Sequence, residues 1–219
     1  MTNPNPQVRT RVDADESVSE WLMLHKREVT WAVVALAILV GSLWFYRRSQ
    51  SLKAQRAEAA YFQARRAAST GDLPAATSEF RKVATRYTGT LAGTQASLSL
   101  AQALYDQKKF KEGVDALKQI EAKAAEEFKP SVHSLEAAGY TELKNFAAAA
   151  DQYKLAAAAT KFPAEKAQYQ AYAARAYMSA GKSAEARAIW TELAKDETSP
   201  EAAEARVRLG ELNAQPMKT

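Results

Sequence analysis

Few residues in this chain are of a type that does chemistry. There are two histidines, His25 and His133, far apart in sequence, and no cysteine. That excludes disulfides, thiolate nucleophiles and a structural zinc site. His25 lies beside Lys26 and Arg27 and reads as an interfacial residue rather than a pigment or metal ligand. The run DADE at 13–16 gathers carboxylates on a polar tail, where solvation is expected over metal binding. The stretch AYMSAGKS, residues 176–183, ends like a phosphate-binding loop, but Ala176 stands where the first glycine is needed. It also ends one helix and starts another instead of following a strand. No glycine-rich dinucleotide fingerprint and no serine elbow occurs. The remaining acid–base pairs read as solvent-facing helical ion pairs. No catalytic, metal or cofactor-binding residue is therefore assigned, and the chain reads as a non-enzyme.

What positions side chains here is helix. From Ser51 onward Ala, Glu, Lys, Gln and Leu dominate, and no stretch alternates with period two. Four segments line up when anchored on Leu73, Phe110, Phe146 and Ser183, at spacings of 37, 36 and 37. Three residues on stands a small residue: Ala76, Gly113, Ala149, Ala186. Seven on stands a large one: Phe80, Leu117, Tyr153, Trp190. Ten on come Val83, Ile120, Ala156 and Leu193, and nine before each anchor is an alanine: Ala64, Ala101, Ala137, Ala174. Each unit then reads as helix, tight turn, helix. The alanines permit close approach, and the large residue fills the gap to the next pair. The turns carry helix-stopping chemistry at Gly71-Asp72, Lys144-Asn145 and Gly181-Lys182. Such pairs cannot bury their apolar faces alone and must stack. SPEAAEARVRLGELN follows, with Ser199 as N-cap and Pro200 at N1, as a lone helix capping the last pair.

Upstream, Val29 to Tyr46 gives 18 residues without a charge. At about 1.5 Å per residue they span roughly 27 Å, close to a hydrocarbon core. Trp31 stands near one end, and Trp44, Phe45 and Tyr46 before Arg47 and Arg48 crowd the other, as interfacial anchors do. The preceding 28 residues are too long for a signal peptide, and no small-residue cleavage site follows, so an uncleaved anchor is expected. Ser17 and Glu20 have capping-box spacing, and Val18, Trp21, Leu22 and His25 share a face, consistent with a short interfacial helix. The net charge of +5 falls mainly after residue 28, with no dense basic tract that would suggest nucleic acid. Without cysteine the redox compartment stays open.

The expected division is a tail at 1–28 with the interfacial helix, a transmembrane helix at 29–46, and a basic juxtamembrane helix at 47–56. Four repeats at 57–198, a capping helix at 199–213 and a tail at 214–219 complete it. The expected fold class is all-α: one N-terminal transmembrane helix followed by an α-solenoid of about four helix pairs and a C-terminal cap.

The small–small–large–small order over residues 57–198 resembles the tetratricopeptide repeat, although the Trp and Leu-Gly usual early in the first helix are mostly missing and the period exceeds 34. The resemblance implies a groove lined by the first helix of each unit. In that register it holds Tyr61, Arg65, Leu98, Gln102, Tyr105, Thr141, Glu142, Arg175 and Met178. Gln102 and Ala138 stand where peptide-carboxylate clamps place Lys, Arg or Asn, so no such clamp is expected. The mixed set suits an extended or partly unfolded chain, or a permanent partner.

The whole layout, with stretches such as TLAGTQASLSLAQALYDQKKF, resembles the YfgM-like ancillary subunit of the bacterial Sec translocon. That resemblance implies a chaperone-like, non-catalytic protein with its N-terminus cytoplasmic and its repeats periplasmic, on the bacterial inner membrane. The local charges point the other way. Arg9, Arg11, Lys26 and Arg27 flank the N-terminal side, against Arg47, Arg48, Lys53, Arg56, Arg65 and Arg66 on the C-terminal side. The positive-inside rule is weak for long translocated domains, and the periplasmic orientation is the expectation. The expected partners are other proteins, either the translocon with its client chains or the subunits of a membrane complex, and not nucleic acid. The alternative function is a permanent structural or assembly subunit of a large membrane complex, such as a photosynthetic or respiratory assembly.

Overall fold

The structure is a computed structural model that describes residues 21, 23–196 and 199–214. DADE, the Ser17/Glu20 capping box, Val18, Leu22 and the QPMKT tail lie outside the described residues. The described residues are predominantly helical and form no strand. The helices are α1 Lys26–Ala68, α2 Leu73–Arg86, α3 Leu91–Asp106, α4 Phe110–Glu121, α5 Lys129–Glu142, α6 Phe146–Ala159, α7 Pro163–Ser179, α8 Ser183–Leu193 and α9 Pro200–Ala214. A short 3-10 turn, Glu126–Phe128, precedes α5. The chain divides into two compact units, 1–52 and 53–219.

In the first unit, Trp21, Met23 and Leu24 are helical, and the His25 ring stacks on Trp21 at 4.9 Å between centroids. The apolar window of α1 has mean hydropathy 2.0, and none of it is buried. By length and composition this helix can cross a membrane. Trp31, Trp44, Tyr46, Arg47 and Arg48 are all exposed. The helix begins at Lys26, three residues before the uncharged run, and the basic segment 47–56 continues it without a break.

In the second unit, consecutive helices from α2 to α9 pack on one another, with further contacts of α3 on α5 and α7 on α9. The last turns of α1 supply the first helix of the first pair. There Ala64 joins Ala76, Phe80, Val83, Ala96, Leu100 and Leu104 in one apolar cluster. The alanine nine residues before each anchor is buried in every pair: Ala64, Ala101, Ala137 and Ala174. Phe80, Leu117 and Trp190 are buried in the large-residue slot, while Tyr153 is half-buried there. A methyl side chain at the seam lets helices approach, and the bulky residue opposite fills what the alanine leaves.

The turns repeat with equal regularity. The residue two before each anchor has positive φ: Gly71 at 81°, Lys108 at 62°, Lys144 at 60° and Gly181 at 75°. The left-handed conformation ends each first helix and reverses the chain. Glycine meets this requirement in two turns, and lysine meets it with strain in the other two. Asp72 and Asn145 then cap the second helices, accepting from the amides of Ala75 at 3.0 Å and Ala148 at 3.3 Å. Ser199 Oγ accepts from the Glu201 amide at 3.3 Å, ahead of Pro200 in the first turn of α9.

Candidate functional site

Two of the nine expected groove residues come together in one cleft. Tyr61 and Arg65, on the last turns of α1, face the start of α3 across a cavity of about 350 Å³. Ala54, Glu58, Phe62, Thr90, Leu91, Ala92 and Gln95 complete its wall. Phe62 and Leu91 are each 54% exposed there, large apolar groups in water at the edge of a polar rim. Local sequence explains the placement. Ala57 and Ala64 turn one face of α1 inward, so Phe62 falls on the opposite face. Thr90 caps α3 by accepting from the Gly93 amide at 3.1 Å, which fixes Leu91 at the first, outward-facing helical position. The Tyr61 hydroxyl is 3.2 Å from Ser99 Oγ and its ring centroid 6.1 Å from that of Phe80, so Tyr61 forms the floor. Arg65 is exposed on the rim.

The other seven are distributed differently. Leu98 is half-buried against the cluster formed by Ala101, Leu117 and Val132. Gln102 is exposed and donates to Asp106 on its own helix at 3.0 Å. Thr141 is half-buried and donates to the Ala137 carbonyl at 2.9 Å, and Glu142 is exposed. Met178 packs against the last core cluster, and its sulfur accepts from Trp190 Nε1 at 3.4 Å.

Tyr105 is a correction. It is buried, and its hydroxyl donates to the Leu135 carbonyl at 3.0 Å, so it holds α3 to α5 and is not a groove residue. Its inward position has a physical cause, because side chains at Gly113 and Gly139 would overlap the ring and the hydroxyl.

Arg175 is exposed but committed. Its guanidinium forms a two-pronged pair with Glu204 of α9 and lies 5.2 Å over the Tyr172 ring. The hydrogen bond from Arg175 holds the Glu204 carboxyl below its usual range, with the Arg175 charge and Arg208 adding to it against burial. This pair joins α7 to α9, so not every ion pair here follows the solvent-facing helical pattern. Sequence reading missed Phe62, Leu91, Glu58 and Gln95. The available signal was the exposed apolar residue directly after the Thr90 cap.

Among the described residues no group of three His, Cys, Asp or Glu could hold a metal. His133 is buried and its Nδ1 lies 2.8 Å from Gln152 Oε1, a structural role. AYMSAGKS forms the α7–α8 turn.

Similar proteins share this fold. The family model described as "Tetratricopeptide repeat-like domain" matches residues 19–136, more than half of the chain. Among solved structures, the chain is similar to the nearly identical TPR-like repeats of a Podosopora anserina protein assigned as a kinesin light chain. The TM-score is 0.56 at 18% identity, covering 72% of this chain and 84% of that one. It is also similar to the MamA RS-1 ArsTM double mutant, with TM-score 0.52 at 14% identity, covering 72% and 94%. At these identities the likeness is one of fold. No curated protein matches the chain. Tetratricopeptide repeats mediate protein–protein interaction and are typically scaffolds rather than enzymes. By the family match, the helix pairs and the shared fold, the chain belongs to the tetratricopeptide repeat-like domain family.

Proposed function

We propose that the chain is a membrane-anchored, non-catalytic interaction subunit that docks other proteins in the cleft between the end of α1 and the start of α3. The observation that carries this reading is the pairing of Phe62 and Leu91 at an open surface, rimmed by Glu58, Arg65 and Gln95. Apolar anchors within a polar rim are how protein-binding surfaces concentrate affinity. Helix pairs stacked side by side offer long surfaces for an extended chain.

The partner class follows from the anchor. A protein tethered by the apolar stretch of α1, with a mixed apolar and polar cleft, suits chains emerging at or crossing a membrane. A place beside the Sec translocon, with the repeats in the periplasm, is the resemblance's version of that role. Gentle detergent extraction and copurification test it. Substoichiometric translocon and client chains support the reading, and stoichiometric fixed partners replace it with a permanent subunit of a membrane complex. Protease added to spheroplasts should remove the repeats and spare them in inverted vesicles. Exposure in inverted vesicles would overturn the periplasmic orientation.

A further inference from the structure

Glu136, in the middle of α5, is fully buried, and neither of its carboxylate oxygens has a hydrogen-bond partner. The buried polar groups around it are satisfied. Tyr105 donates to the Leu135 carbonyl at 3.0 Å, and His133 is bonded to Gln152. An ionised carboxylate buried without donors is far less stable than the neutral acid in the same place. The packed junction therefore selects the protonated form.

The groups that face Glu136 reinforce this. From α4, the Glu121 carboxylate adds like charge, and Lys118 is the opposing cation. Lys118 is itself engaged with Tyr140, lying 5.3 Å over its ring. From α3 comes Tyr105, whose phenol is committed to Leu135. On α5 itself, His133 Nδ1 is 3.8 Å from Glu121, and Tyr140 is one turn on. From α6 the neutral Gln152 is bonded to His133, while Asp151 and Lys154 are engaged with Tyr177 of α7. In the 3-10 turn Glu126 and Glu127 are exposed, and Glu126 is paired with Lys129 at 2.6 Å. Burial first, then the Glu121 charge, raises the Glu136 carboxyl to about 7, with Lys118 opposing.

We propose that Glu136 is a proton-operated latch between the second and third repeats. Protonated, it lets α5 close on α3 and α4; ionised, it favours a state in which that junction opens and water reaches the carboxylate. Gly113 and Gly139 bring the same three helices to close contact around Tyr105. The sign follows from linkage. A folded-state value above the unfolded one gives stability that is complete in acid and is lost as pH rises through about 7. The junction joins the first two helix pairs to the last two, so the latch controls how continuous the repeat surface is.

The test is hydrogen exchange on the full chain in detergent micelles at pH 5 and pH 8, corrected for intrinsic exchange. In the wild type, protection in α4 and α5 should fall on the order of tens-fold more than in α7 and α8. In Glu136→Gln that local loss should vanish. In Glu121→Gln, which keeps the acid but removes its like-charged neighbour, the transition should move to lower pH. If Glu136→Gln does not fold, the regional profile of the wild type and the Glu121→Gln shift decide alone. An equal loss in all repeats, an unshifted transition in Glu121→Gln, or the same pH dependence in a folded Glu136→Gln would each overturn the latch.

Discussion

The phenol of Tyr105 donates to the main-chain oxygen of Leu135 at 3.0 Å, joining α3 to α5 past the intervening helix. The contact needs glycine on both sides. A methyl group at Gly139 would meet the Tyr105 hydroxyl and Val114 Cγ2, and one at Gly113 would meet the ring edge. Gly139→Ala is therefore expected to destabilise the repeats by about 1–3 kcal/mol, as overpacking does. Tyr105→Phe should cost about 0.5–1.5 kcal/mol for the hydrogen bond. Because the Phe variant removes the nearest of the clashing atoms, though not Val114 Cγ2, the double variant should lose less than the sum. Thermal or denaturant unfolding of the four members of the cycle measures this, and strict additivity would show that the two residues do not share the contact.

Trp190 is fully buried in the slot that Phe80 and Leu117 fill in earlier repeats, and its indole nitrogen donates to Met178. Trp190→Ala is expected to cost about 3–5 kcal/mol. A change under about 0.5 kcal/mol, the range of surface substitutions, would be incompatible with that burial.

The four positive-φ turn positions make a prediction of opposite sign. Lys144 at φ 60° and Lys108 at φ 62° sit where Gly71 and Gly181 sit in the other turns. Lys144→Gly should raise stability by roughly 0.5–1 kcal/mol by relieving left-handed strain, net of glycine's extra unfolded-state entropy. Gly181→Ala should lower it by about 1–2 kcal/mol. Paired melting curves of the two variants check both signs.

Much of this architecture was legible because the repeat writes itself in small residues. An alanine every 36 or 37 positions marks the seam, and Phe80, Leu117 and Trp190 mark what fills it. Side-chain direction was harder to read. Tyr105 was expected in the groove because its helix register puts it there, but Gly113 and Gly139 open room inside and the ring turns inward. Glu136 looks in sequence like any solvent-facing glutamate of an alanine-rich helix. Only the packing of α3 and α4 over it makes it buried. The Arg175–Glu204 pair bridges 29 residues, beyond any i to i+4 rule.

That pair contributes to the acid limb of stability. Hydrogen bonding to Arg175 lowers the Glu204 carboxyl, so its contribution is present above the unfolded carboxylate value and is lost as pH falls through the lowered one. Glu204→Gln should flatten the fall in melting temperature on acidification and leave unchanged the loss as pH rises toward about 7, which Glu136 governs. A full acid limb in Glu204→Gln would place the responsible carboxylate elsewhere.

The two compact units predict that residues 53–219 stand alone. Expressed without residues 1–52, they should be soluble and helical and unfold cooperatively, because their apolar clusters contain no residue of the apolar stretch. Aggregation with loss of near-UV dichroism would show that the repeats depend on the anchor segment.

The most direct test of the account is a photocrosslinking phenylalanine analogue placed at Phe62 in the 219-residue chain expressed in cells, with a control at the exposed Lys82 of α2. The cleft reading predicts discrete protein adducts from position 62 that disappear on Leu91→Asp, and none of the same adducts from position 82. No adducts at position 62, or the same pattern from both positions, would contradict it.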